Sequence, residues 1–161
     1  VSGLELWAPN SVVANNRSHD NDAAGMSMGG NNCIVIGNRC WDNAQLTGSL
    51  RGSGIVARAH PRRTNAASGS VFVANTCYDT RSPMTQAYGY NEIGAGLRDI
   101  ILVGNDFGRN RLGATHFSER GDRDGSGGRI SPTMRKRLEE LSHSSVVSGE
   151  VLAVVRTFLS W

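Results

Sequence analysis

The feature that most constrains this chain is a motif met four times. A short apolar run ends in Asn, a gap of variable length follows, and Gly then opens a second apolar run. The Asn copies read Val12-Val13-Ala14-Asn15-Asn16, Ile34-Val35-Ile36-Gly37-Asn38, Val71-Phe72-Val73-Ala74-Asn75 and Ile101-Leu102-Val103-Gly104-Asn105. Their Gly partners are Gly25-Met26-Ser27-Met28, Gly54-Ile55-Val56-Ala57, Gly89-Tyr90 and Gly113-Ala114, and Gly3-Leu4-Glu5-Leu6 reads as the tail of a preceding copy. The final Asn residues stand 22, 37 and 30 residues apart. Fixed local motifs at unequal spacing mean aligned strands joined by loops of varying length. That is how insertions enter a β-solenoid, whereas a helical repeat holds its period more tightly.

The apolar runs are too short for helices and are rich in Val and Ile, so they predict short strands. Stacked in parallel, they put Asn on Asn at one corner. Asn tolerates left-handed backbone there, and its amide bonds the amides above and below. Gly supplies a bend where no Cβ fits. Aligning the Asn copies gives further columns: Arg17, Arg39, Thr76 and Asp106; Ser18, Cys40, Cys77 and Phe107; Asp20, Asp42, Asp79 and Arg109; Asn21, Asn43, Thr80 and Asn110.

These residues resemble the right-handed parallel β-helix family, the pectate-lyase-like superfamily, most closely from Ile34 to Asn43 with Gly54-Ile55. The resemblance spans about residues 3–117 and implies an all-β solenoid of about four coils. Residues 1–119 are expected to form the β-helix, 120–130 a polar Gly-rich linker and 131–161 a short α-helical C-terminal cap. Ser131-Pro132 reads as an N-cap with Pro at the first helical position, followed by Met134, Leu138 and Leu141 at helical spacing. Val151, Val154, Val155, Phe158 and Leu159 share one face of a second segment, which its Val content also allows as a strand. The helices are expected to cover the open end or an outer face of the solenoid.

Composition narrows the partners. A chain of 161 residues is long enough to bury a core. Its cationic residues are sixteen Arg and one Lys, yet the net charge is only +3 and no Lys/Arg block forms an arm, so nucleic acid is not expected. No apolar stretch approaches a membrane span. The chain opens inside a copy of the repeat and is expected to be the C-terminal part of a longer protein, so a missing signal peptide says little about compartment. Cys40 and Cys77 share a column, about 4.8 Å apart on neighbouring strands. A disulfide and a stack of apolar thiols are both open there, and Cys33 reads as core.

The family implies polysaccharide as substrate or ligand, lyase or glycoside hydrolase chemistry if there is an enzyme, and an extracellular or cell- or virion-surface location. The Asn-Thr-Asp, Asp-Asp and Gly-His-Gly patterns of polygalacturonase-like enzymes do not occur, nor does the Asp-Pro-His-Asp of alginate epimerases. Around Pro61, Ala59 and Thr64 break the Arg-x-Pro-x-x-Arg of pectate lyases. The alternative is a non-catalytic structural or adhesive segment of a phage tail or surface protein. A trimer through apolar outer strands would support that alternative.

Candidate residues follow from period-2 alternation along the Gly-led strand. Leu4, Met26, Ile55, Tyr90 and Ala114 point inward; Glu5, Ser27, Val56, Asn91 and Thr115 point outward, followed by Trp7, Gly29, Arg58, Ile93 and Phe117. Glu5, Trp7 and Asn91, with His60 and Arg62 from the longest inserted loop, are candidate substrate-binding residues. An aromatic ring covers an apolar sugar face, and Arg or Asn fixes hydroxyls and carboxylates. Arg58, Glu92 and His116 are the candidate catalytic set, His116 with Glu92 being the one His/carboxylate couple that stacked coils bring into reach. Asp20, Asp42 and Asp79 read as turn residues before they read as an acid/base pair or a Ca²⁺ site, and no cofactor motif is present. His19 shares a column with Trp41 and Tyr78 and reads as packing or turn.

Overall fold

The structure, a computed structural model, describes residues 1–46, 52–59, 66–118, 130–145 and 147–160. Twelve strands and two helices are described, and the chain lays the strands into three sheets in rotation, with a single bridge in place of a strand of the third sheet before β12. The first sheet takes β1 (Leu4–Leu6), β4 (Met26–Met28), β7 (Ile55–Arg58), β10 (Tyr88–Ile93) and β12 (Gly113–His116). The second takes β2 (Val12–Ala14), β5 (Ile34–Ile36), β8 (Val71–Val73) and β11 (Ile101–Val103). The third takes β3 (Arg17–His19), β6 (Arg39–Trp41) and β9 (Thr76–Tyr78), and Asp106 bridges onto Thr76. All pairings between these strands are parallel and in register, an arrangement compatible with a parallel β-helix.

Two ladders of side-chain amides hold that register. The Asn38 N–H donates to Asn75 Oδ1 at 3.0 Å and Asn38 Nδ2 to the same oxygen at 3.0 Å, while Nδ2 also reaches the Val13 carbonyl at 2.9 Å. Asn75 repeats the pattern onto Asn105 and Val35, and Asn16 donates to Asn38. The Asn corner read in the sequence is therefore a continuous line of bonds. The second ladder runs Asn21, Asn43, Gln86, Asn110. Thr80, aligned to that column in the sequence, instead donates to Asp42, and the chain makes an excursion before the longer Gln86 side chain returns to the line.

The interior joins all three sheets in one apolar cluster containing Met26, Met28, Ile55, Tyr90, Val35, Phe72, Cys40 and Cys77. At its corner, a Cβ on Gly54 would lie 2.6 Å from Cys77 Cβ and 2.8 Å from the Gly89 carbonyl, so the bend admits no side chain. Cys33, Cys40 and Cys77 are free and buried. Burial raises the Cys77 thiol well above its ordinary value, with Cys40 alongside contributing, which favours the stacked neutral thiols.

A second cluster lies on the other face of the second sheet. Ile34, Ile36, Val71, Val73 and Ile101 meet Met134, Leu138, Val147 and Val155 from α1 (Pro132–Ser142) and α2 (Gly149–Leu159). Ser131 Oγ accepts from the Met134 N–H at 3.1 Å and Pro132 opens α1, the cap read from the sequence. Arg137 fastens α1 to the sheet by donating to the Asn32 and Asn10 carbonyls at 2.7 and 2.9 Å. The helices thus cover an outer face, and the apolar strands expected to form a trimer contact are occupied by the chain's own C-terminal segment. Each buried Val, Leu or Ile there contributes about 1.5–3 kcal/mol.

Register in the last strand departs from the expected one. The Leu112 N–H donates to the Ala87 carbonyl, which sets Gly113 beside Tyr88 rather than Gly89. Thr115 therefore joins Tyr90 and His116 joins Asn91. A slip of one residue exchanges the faces of every side chain on the strand.

The ladder generates a positional prediction. Asn75→Ala removes the acceptor shared by the buried Asn38 N–H and Nδ2 and is expected to cost about 2–4 kcal/mol, while Asn16→Ala at the ladder's end costs about 1 kcal/mol. Urea unfolding of the two variants checks it; equal losses would mean that the ladder does not organise the corner.

Candidate functional site

The outward residues of the first sheet come together at one end. A Cβ on Gly29 would fall 2.1 Å from the Trp7 ring, so only Gly there lets the indole lie down on the sheet. Across from it the Arg58 guanidinium stands 5.3 Å from the ring centroid. Arg58 also donates to Ser27 Oγ at 3.2 Å and pairs with Glu5 at 3.8 Å. Beside this cluster lies a shallow hollow of about 120 Å³ bordered by Glu5, Ser27, Val56, Arg58 and the Val1–Ser2 segment. Glu5 is half-exposed and Arg58 mostly covered, so the cation is held in place and the anion is free to exchange partners. The hollow is small beside pockets for drug-sized ligands and suits one substituent of a larger molecule.

The remaining candidates divide between the two faces of the sheet. His116 Nδ1 lies 2.9 Å from Asn91 Oδ1, and its ring stacks on Tyr88 at 5.1 Å. Glu92 turns with Tyr90 to the opposite face, where Tyr90 Oη donates to Glu92 Oε1 at 3.1 Å and Ser118 Oγ to Oε2 at 3.4 Å. The expected His116–Glu92 couple is not formed, because residues 91 and 92 point to opposite faces and the last strand aligns His116 with the first of them. Asn91 and Glu92 are buried. His60 and Arg62, and the expected linker over 120–129, lie outside the described residues.

A second surface was only half read from the sequence. On the outer face of the third sheet, His19 stacks on Trp41 with centroids 4.2 Å apart, and Trp41 on Tyr78 at 6.4 Å. Arg39 lies against both Trp41 and Tyr78 at 5.3 and 5.1 Å and donates to Tyr78 Oη. The column was visible in the sequence; its outward direction was not, since Arg17, Arg39 and Thr76 two residues earlier were the only cue. The rings spend their faces on one another and offer mainly edges to a ligand.

The turn aspartates are engaged by the protein itself. Asp20 accepts from Arg81 at 2.6 Å and contacts His19 Nδ1 at 2.7 Å; these two partners hold its carboxyl below the usual value. Asp42 accepts from the Thr80 N–H and hydroxyl at 2.6 and 2.7 Å. Asp79 is buried, which by itself would raise its pKa, but the amides of Arg81, Gln86 and Thr85 outweigh burial and leave it lowered. Among the described residues no group of three or more His, Cys, Asp or Glu is arranged to hold a metal ion, and no helix is long and apolar enough to cross a membrane. No family model, no curated protein and no solved structure matches the chain.

Asp79 carries the pH prediction. Its folded pKa is depressed, so its contribution to stability is complete above the ordinary value of 3.8 and is lost as pH falls through the lower folded value. Asp79→Asn, which leaves three amides facing a group that is partly a donor, is expected to cost about 1–3 kcal/mol at pH 7. Thermal unfolding from pH 7 to 3 should show a shallower acid decline in the variant; an unchanged decline would assign it to other groups.

Proposed function

We propose that this chain is part of a right-handed parallel β-helix of the pectate-lyase-like kind, on the outside of a cell or virion, that binds a polysaccharide. The observation that carries the reading is the cluster of Trp7, Arg58, Glu5 and Ser27 on the outer face of the first sheet. An indole laid against the sheet offers an apolar platform to a sugar ring. The guanidinium, carboxylate and hydroxyl beside it offer donors and acceptors to its hydroxyls, and the hollow takes one substituent.

Binding fits this geometry better than cleavage. Glycoside hydrolysis by the common route needs two carboxyl groups flanking the bond, and proton abstraction needs a positioned base within reach of the sugar. In the described cluster Glu5 is the single carboxylate and lies against Arg58, while Glu92 faces the interior.

A panel of acidic and neutral polysaccharides tests the reading by affinity electrophoresis and by assay for new chain ends. Retardation by at least one polysaccharide without new ends is expected. Trp7→Ala and Arg58→Ala should each weaken it about tenfold or more, and His116→Ala should leave it unchanged. Retention that survives both substitutions would remove the cluster as the site, and new chain ends would restore an enzymatic reading.

A further inference from the structure

The row of rings on the third sheet is interrupted by a glycine. His19, Trp41 and Tyr78 occupy one outward column, and the next coil supplies Gly108 at the same place. The coil runs on past that position. The Cys77 N–H donates to the Asp106 carbonyl at 2.8 Å and the Asp79 N–H to the Arg109 carbonyl at 2.7 Å, on either side of the bare rung. Phe107 meanwhile lies in the interior cluster with Cys77. A Cβ on Gly108 would meet nothing closer than Asp106 Oδ1 at 3.3 Å, the end of a side chain that can shift, and the Gly108 backbone is not left-handed. Neither a close backbone approach nor the turn calls for glycine there. What it supplies is space.

One face of the Tyr78 ring borders that space. Trp41 stacks on Tyr78 with 11° between the planes, and Arg39 lies against the ring and donates to its Oη. Both groups that hold the ring come from β6, so its opposite face looks over Gly108, one strand spacing or about 4.8 Å further along the stack. Tyr78 is accordingly half-buried, not enclosed. Asp106 borders the same space. Its Oδ1 accepts from the Gly108 N–H at 3.1 Å, and its Oδ2 has no partner among the described residues.

The geometry points to a binding site for one pyranose ring on the third sheet, laid on the open face of Tyr78 in the rung that Gly108 leaves bare. The C–H face of a sugar covers an aromatic ring, and a carboxylate accepts from two neighbouring hydroxyls in bonds that its charge strengthens. Asp106 therefore favours a sugar over a purely aromatic ring, which offers it no donor. Trp41 and Arg39 already fix the Tyr78 ring, so little side-chain freedom is lost on binding. The site lies on a different sheet from Trp7 and Arg58 and does not rest on the function proposed for that cluster.

Titration of the 161-residue chain with the methyl glycosides of glucose, galactose, mannose and N-acetylglucosamine, and with benzene as the aromatic control, tests it by NMR. At least one glycoside should shift the Tyr78 ring and Asp106 amide signals, saturating with a Kd on the order of 1–10 mM. Gly108→Val, which fills the rung, and Tyr78→Ala, which removes the platform, should each weaken binding about tenfold or more. Asp106→Asn should weaken it about fivefold, and Trp7→Ala should leave it unchanged. Several results would overturn the inference: no saturable shift with any glycoside up to about 0.1 M, ten times the weakest Kd expected; benzene shifting these signals where the glycosides do not; or Gly108→Val binding like the wild type. A shift abolished by Trp7→Ala would also overturn it, by assigning the sugar to the first sheet. Circular dichroism of every variant confirms that the fold compared is the same.

Discussion

The stacking of side-chain amides at two corners is the interaction on which the rest of this structure depends. Strands of three residues have too few backbone bonds to fix their own partners, and a slip of one residue would exchange their faces. Asn38 and Asn75 prevent it by binding the chain above through Nδ2 and the chain below through Oδ1, all within buried surroundings where an unmade bond is costly. Once these corners are set, sequence columns become lines in space. The thiol pair, the row of rings on the third sheet and the outward residues of the first sheet all follow from that one constraint.

The surfaces that result are unequal, and the inequality shapes what each can do. The second sheet is apolar on both faces, with one face in the interior and the other under α1 and α2. The third presents rings already stacked on one another and arginines held against them. The first keeps an indole, a guanidinium and a carboxylate beside a small hollow.

Much of this was legible in the residues. The Asn corner, the Gly bend, the N-cap at Ser131 and the meeting of Glu5, Trp7 and Arg58 all follow from fixed local motifs and period-2 alternation. The failures have identifiable causes. Ile34, Val35 and Ile36 are all buried, so alternation carries no polarity signal and the helix-covered face cannot be distinguished from the interior. Gln86 replaces Thr80 in the ladder because an excursion hides a longer amide from any fixed offset. His116 lost Glu92 to a one-residue shift set by a backbone bond from Leu112 to Ala87, which leaves no mark in the sequence.

Amide hydrogen exchange, resolved residue by residue in dilute protein, tests the central claim most directly. The Asn38 and Asn75 N–H groups, each bonded to the Oδ1 of the next Asn, are predicted to exchange only on global opening, while the Asn105 N–H exchanges fast. Asn38 and Asn75 exchanging as fast as Asn105 would contradict the stacked ladder and the in-register sheets that it holds.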